Sequence, residues 1–179
     1  MKKALVAALV VISVLAVSSA SAQGKDGENI ITAGLGLGYP GLYGTSSVPP
    51  IFVSFDHGIV NKFSVGGILA YSGSSYEVDP YKWSYTYIFV GARGGYHFAQ
   101  DLKAPSNVDV YGGLTLGYNI VSSSLTGPGT NYFGYAAGGS YFQFGFYAGA
   151  RYFFSPKFGA SAEVGYDIGY FKVGVSYIL

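Results

Sequence analysis

Cysteine is missing from the chain altogether. That one absence excludes disulfides, thiolate metal centres and the lipidated cysteine of bacterial lipoproteins. Histidine is scarce: His57 and His97 are the whole supply. Neither stands at a metal-ligand spacing, and the two with Asp56 and Asp109 only imitate a metal site. No GxxxxGKS or GxxxxGKT run precedes a helix, so the glycine-rich pieces are not phosphate loops. Charge is thin as well, at 11% of residues, where a soluble domain carries about 25%. No basic excess or patch exists to track a phosphate backbone, which argues against a nucleic-acid partner. Beyond residue 22, no apolar run approaches the ~20 residues that a membrane-spanning helix needs. The expectation is a protein with no metal, no cofactor and no catalytic residues, and therefore not an enzyme.

What the chain does have begins with an export signal. Met1-Lys2-Lys3 is a short positive start, residues 4–17 are apolar but for Ser13, and Ala20-Ser21-Ala22 is an A-x-A cleavage site. That order is the order of a secretory signal peptide, and the apolar run is short for a membrane anchor. Residues 1–22 are expected to be removed after Ala22. Residues 23–179 then form one domain with 8 basic and 9 acidic residues.

That domain is rich in tyrosine (18), phenylalanine (13) and glycine (28). An exported, apolar, weakly charged chain without spanning helices has one main way to live in a membrane. It closes a β-barrel, because only closure satisfies every backbone hydrogen bond in lipid. The expected fold class is all-β, a transmembrane up-and-down antiparallel β-barrel of about eight strands.

Period-2 segments bounded by turn residues support this. In residues 31–39, Ile31, Ala33, Leu35, Leu37 and Tyr39 share one face, and Thr32, Gly34, Gly36 and Gly38 the other. Further segments run over residues 51–58, 63–72, 84–98, 108–120, 141–154, 158–167 and 171–179. The segment around 84–98 carries large residues on both faces. Arg93 sets its phase, since a charge against lipid is costly. Aromatics fall at the two ends of the outward faces: Tyr39, Tyr71, Tyr118, Tyr166 and Phe171 at one end, Phe63, Tyr96, Phe98, Tyr152, Phe154, Phe158 and Tyr177 at the other. Between them lie mainly Leu, Val, Ile and Ala. Two aromatic girdles around an apolar band mark a membrane barrel. Long connections alternate with shorter ones, which places residues 40–50, 73–82 and 121–140 outside the cell as loops.

The stretches "AGLGLGY", "VDVYGGLTLGYN", "GARYFFSPKFGASAEVGYD" and "YFKVGVSYIL" resemble those of the small OmpA/OmpX-type outer-membrane β-barrels of Gram-negative bacteria. The resemblance covers residues 23–179 and implies location in the cell outer membrane. The last strand is similar to the family's assembly signal, with Phe171, Val173, Val175 and Tyr177 in place and Leu179 where an aromatic usually stands. That similarity implies the barrel-assembly machinery as a partner, beside outer-membrane lipid.

An eight-stranded interior is just wide enough for side chains to fill. Glycines at 34, 36, 38, 66, 113, 117, 145, 149 and 165 would make room there for inward tyrosines and charges. The inward charged set is Asp56, Arg93, Asp109, Arg151, Glu163, Asp167 and Lys172, expected to form a structural lumen network. Arg151 and Glu163 flank the turn "SPK" and are expected to meet diagonally across that hairpin. Two functions remain open. One is a structural or surface-interaction barrel that displays Tyr/Ser/Gly-rich loops to an extracellular ligand. The other is a small-molecule conduit, with solutes passing through the wall or a gated core. A soluble lipocalin-like barrel is the architectural alternative, and it predicts the inverse polarity.

Overall fold

Period-2 alternation becomes eight strands. The computed structural model describes residues 26–41, 44–60, 62–128 and 139–179, so the expected signal peptide lies outside the described residues. The strands are β1 (Asn29–Leu37), β2 (Thr45–Val60), β3 (Phe63–Val78), β4 (Tyr81–His97), β5 (Val108–Thr126), β6 (Tyr141–Phe153), β7 (Phe158–Gly165) and β8 (Phe171–Ile178). Each pairs antiparallel with the next, and β8 returns to β1 with Ala33 opposite Val175. The ring is closed, so no edge is left open at membrane depth.

Burial alternates as the sequence pattern requires. On β5, Leu114, Leu116 and Tyr118 are exposed, while Asp109, Tyr111, Thr115 and Asn119 are buried. On β4, Arg93 is buried and Ile88 and Val90 are exposed, so the phase set by Arg93 is the one adopted. Apolar residues face outward and polar ones inward, the reverse of a soluble lipocalin-like barrel. Tyr71, Tyr118, Tyr166 and Phe171 are exposed at one end of the barrel, the end expected to face outside, and Phe63, Phe98, Tyr152 and Phe158 at the other.

Three expected features are corrected. Tyr39 is not in the outer girdle: it is buried. Gly38 takes φ +64° just past the end of β1, a left-handed conformation that glycine tolerates. It breaks the pleat, so the alternation of residues 31–37 does not carry on to Tyr39. The segments 40–50 and 73–82 are not simply loops. β2 begins at Thr45, and β3 and β4 run up to a tight connection at Asp79-Pro80. Serine and tyrosine there have the composition of a loop, but cross-strand pairing at Ser74–Tyr85, Ser75–Ser84 and Tyr76–Trp83 holds them in a ladder. The third segment, 121–140, is likewise strand up to Thr126, and its residues 129–138 lie outside the described ones. Pro49 and Pro50 fit into β2 because the β2–β3 register skips both, and β1 pairs no further than Leu35–Ile51. Their missing N–H groups therefore cost no ladder bond.

The long strands β2–β5 rise past the short ones β6–β8 and β1 as a wing beyond one end of the barrel. The register of β3, β4 and β5 is unbroken from end to end, so facing can be followed row by row. Outward rows climb from Phe63–Tyr96–Gly112 to Tyr71–Ile88–Ile120 and are apolar throughout. The next outward rows are Gly73–Thr86–Ser122, Ser75–Ser84–Ser124 and Glu77–Lys82–Thr126. The change from apolar to polar between Tyr71 and Gly73 marks the outer boundary of the lipid band. Phe63 to Tyr71 spans about 27 Å along the strand at roughly 3.4 Å per residue. A tilt of about 40° reduces that to about 20 Å across the membrane.

Candidate functional site

The inward face of every strand contributes to one filled lumen. At its centre, seven charged side chains form an unbroken chain of ion pairs. Asp109 Oδ2 lies 3.3 Å from Arg151 Nη1, and Arg151 Nη2 lies 2.5 Å from Asp56 Oδ2. Asp56 Oδ1 lies 3.1 Å from Arg93 Nε, whose Nη2 reaches Glu163 Oε1 at 2.9 Å. Lys172 Nζ then bridges Glu163 Oε2 at 2.8 Å and Asp167 Oδ2 at 2.6 Å. Two tyrosines sheathe the chain: the Arg93 guanidinium lies 4.0 Å over the Tyr147 ring, and that of Arg151 4.2 Å over Tyr111. All seven expected charged residues are buried here.

The expected direct pair of Arg151 and Glu163 does not form. Their Cα register places Ser161 opposite Arg151 and Gly149 opposite Glu163. Tyr111 fills the space between them, its ring under the Arg151 guanidinium and its hydroxyl donating to Glu163 Oε1 at 2.9 Å. Each charge instead takes partners from farther round the barrel. Glycine makes this crowding feasible. A Cβ on Gly149 would stand 2.7 Å from Glu163 Cγ, and one on Gly113 would stand 2.6 Å from the Tyr147 hydroxyl.

Apolar and polar layers close the lumen on either side. Above the charges, Tyr39, Phe52, Ile68, Ala70, Phe89 and Ile168 pack into a buried cluster. At the mouth, the Tyr39 hydroxyl donates to Asn119 Oδ1, Asn119 Nδ2 to Gln143 Oε1, and Gln143 Nε2 to the Asp167 carbonyl. Below the charges, Ile30 and Phe153 pack with Ile178. Arg151, Lys172 and Tyr111 are each no more than 2% exposed. Side chains lining a bore as wide as water would not be so shielded.

One constellation escaped the sequence reading. His97 Nδ1 lies 2.8 Å from Asp109 Oδ1, and His97 Nε2 lies 3.0 Å from Ser64 Oγ. These are the contacts of a Ser-His-Asp triad. The signal is present in the sequence: with Arg93 inward, the same parity turns His97 inward, and Ser64 lies opposite the apolar Phe63, Val65, Leu69 and Tyr71 of its own segment. Yet the three are buried on the lumen side of a continuous ladder, with Ser64 paired to Gly95. Asp109 also binds Arg151. His57 sits at the rim of the barrel away from the wing, against Asn29 Oδ1 at 2.8 Å. Among the described residues, no cluster of three metal-ligating side chains has the arrangement of a metal site.

Above the membrane the wing reverses its polarity. Its outward face is Ser, Thr, Glu and Lys, while its inward face carries Tyr76–Trp83–Leu125 and Val78–Tyr81. Tyr76 and Tyr81 flank the Trp83 ring with centroids 6.1 and 6.2 Å away.

No family model matches the chain, and no curated protein does. Solved structures do. Ail, the attachment invasion locus protein of Yersinia pestis, in complex with the heparin analogue sucrose octasulfate, shares 19% identity and a TM-score of 0.54, over 86% of this chain and 96% of that one. Ail in a phospholipid bilayer nanodisc gives 18% identity and a TM-score of 0.50, over 86% of this chain and 100% of that one. The outer membrane protein OprG from Pseudomonas aeruginosa gives 12% identity and a TM-score of 0.66, over 87% and 97%. The chain therefore has the fold of the small eight-stranded transmembrane β-barrels of the outer membrane, the OmpA/OmpX type.

Proposed function

We propose that this protein is an outer-membrane barrel whose work is done outside the cell: a non-conducting, non-enzymatic anchor that holds an extracellular wing up for surface interactions. The observation that carries this reading is the sealed lumen. Seven charges are paired with one another and roofed by an apolar cluster, and the largest of them are shielded from water. An interior committed to self-pairing fills the barrel. The Ser64–His97–Asp109 contacts are part of the same packing, because a substrate would have to cross the β3–β4 ladder to reach Ser64. Export through a signal peptide cleaved after Ala22, and assembly through the outward row Phe171, Val173, Val175 and Tyr177, belong to this account.

A narrow conduit is the second reading, and one observation favours it. The β6–β7 ladder stops at Tyr147–Gly165. Above that point a groove of about 340 Å³ opens beside Pro40, Gly41, Phe142, Phe144 and Tyr166. A solute leaving through the wall would pass there. Liposome swelling with small sugars and amino acids separates the two: the anchor reading expects swelling no faster than in protein-free liposomes. Solute-selective swelling that is lost on filling the groove, as in Gly41→Trp, would support the conduit instead.

A further inference from the structure

We propose that the inward face of the wing tip binds an uncharged glycan presented from outside the cell. This deepens the surface-interaction reading and rests on it.

The argument starts from the inversion of polarity. Within the membrane, inward parity on β3–β5 carries Arg93, Asp109 and Thr115 beneath Ile68, Ala70 and Phe89; above it, along the same unbroken register, it carries Tyr76, Val78, Tyr81, Trp83 and Leu125. Tyr76, Val78 and Tyr81 are exposed, beyond the rows where an outward side chain would meet lipid. Three aromatic rings sit side by side on this ladder, Tyr76 and Tyr81 with centroids 6.1 and 6.2 Å from Trp83 and each tilted about 45° to it. Tyr76 and Tyr81 add their own phenolic hydroxyls to this face. Aromatic faces beside hydroxyls match pyranose rings, which offer apolar C–H faces and a rim of hydroxyl groups.

Charge then selects among ligands. Residues 38–50, 73–87 and 120–141 contain only Glu77, Asp79 and Lys82 as charged residues. Lys82 is already held by Glu77 at 2.5 Å. No free cation waits for a sulfate, phosphate or carboxylate, so a polyanionic glycan has nothing to pair with. The other, Ser/Thr-rich face is the one turned away from the barrel axis, toward the surrounding membrane surface. The aromatic face looks over the barrel mouth and takes a chain arriving from outside.

Trp83 is the only tryptophan, so its fluorescence reports on this site alone. Purified protein in lipid vesicles would be titrated with maltohexaose, cellohexaose, chitohexaose, laminarihexaose and, for contrast, heparin. The expected result is a saturable change in Trp83 emission with at least one uncharged hexaose, equal at low and high salt, and none with heparin. Tyr76→Ser and Tyr81→Ser should each weaken binding by about tenfold while keeping the heat-modifiable gel migration of a folded barrel. Silence with every uncharged glycan overturns the proposal. So does a response to heparin that salt abolishes, or an emission shift produced by lipopolysaccharide micelles and not by the hexaoses. Any of these leaves the anchor reading standing, since that reading fails only if solutes or ions cross the barrel.

Discussion

Arg93 and Glu163 meet at 2.9 Å across the lumen, from β4 and β7, strands that are not neighbours in the sheet. The bond is a strut through the barrel. Removing one partner leaves a buried charge uncompensated, which typically costs about 3–5 kcal/mol. A double-mutant cycle of Arg93→Met and Glu163→Gln should show strong coupling in urea unfolding from lipid vesicles. The same cycle between Arg151 and Glu163 should show weaker coupling, since Tyr111 stands between them. Equal coupling in both cycles would mean that the two arginines exchange partners.

Neighbouring residues on one strand should respond oppositely to charge. Leu114 is 55% exposed and Thr115 is 1% exposed, with its hydroxyl facing Asp167. Leu114→Lys places an ammonium against lipid, at a cost of roughly 2–4 kcal/mol near the midplane. Thr115→Lys should cost less than Thr115→Met, because the lumen beside it holds carboxylates. Reversible unfolding of all three variants gives the order.

The Ser64–His97–Asp109 contacts should be chemically silent. A fluorophosphonate probe is expected to leave the mass of the folded protein unchanged, and His97→Gln to alter stability without altering any esterase background. Stoichiometric labelling of Ser64 would refute the placement of that hydroxyl behind the wall.

At the rim of the barrel away from the wing, Lys62 bonds Asp101 at 2.5 Å, and the Tyr96 hydroxyl donates to the same carboxylate at 3.0 Å. The bond to Lys62, helped by Tyr96, holds the Asp101 carboxyl below its ordinary value. A carboxyl depressed in the folded state stabilises above its unfolded pKa, and that contribution is lost as pH falls through the folded one. Asp101→Asn should therefore destabilise the connection between β4 and β5 at neutral pH and make no difference in strong acid. Amide hydrogen exchange of residues 98–107 at the two pH values is the check.

Much of this architecture could be read from the sequence because barrel strands keep strict time. Arg93 alone fixed the facing of a strand with large residues on both sides, and the inward charges followed by parity. Three things could not be read that way. A positive φ at Gly38 is a backbone event, and it sent Tyr39 inward against the pattern. Serine-rich strand and serine-rich loop look alike until a partner strand is in place, so the sequence pattern of residues 73–82 gives a loop where the structure has paired strand. Partner choice inside the lumen depends on which side chains lean together across the barrel, and sequence distance gave Arg151 the wrong partner.

Conductance of the purified protein in planar lipid bilayers tests the central claim most directly. The sealed, self-paired lumen predicts no steps above the bare-membrane baseline at neutral pH, and small steps only after Arg93 or Lys172 is replaced by alanine. Reproducible ion-conducting steps from the unaltered protein would contradict it.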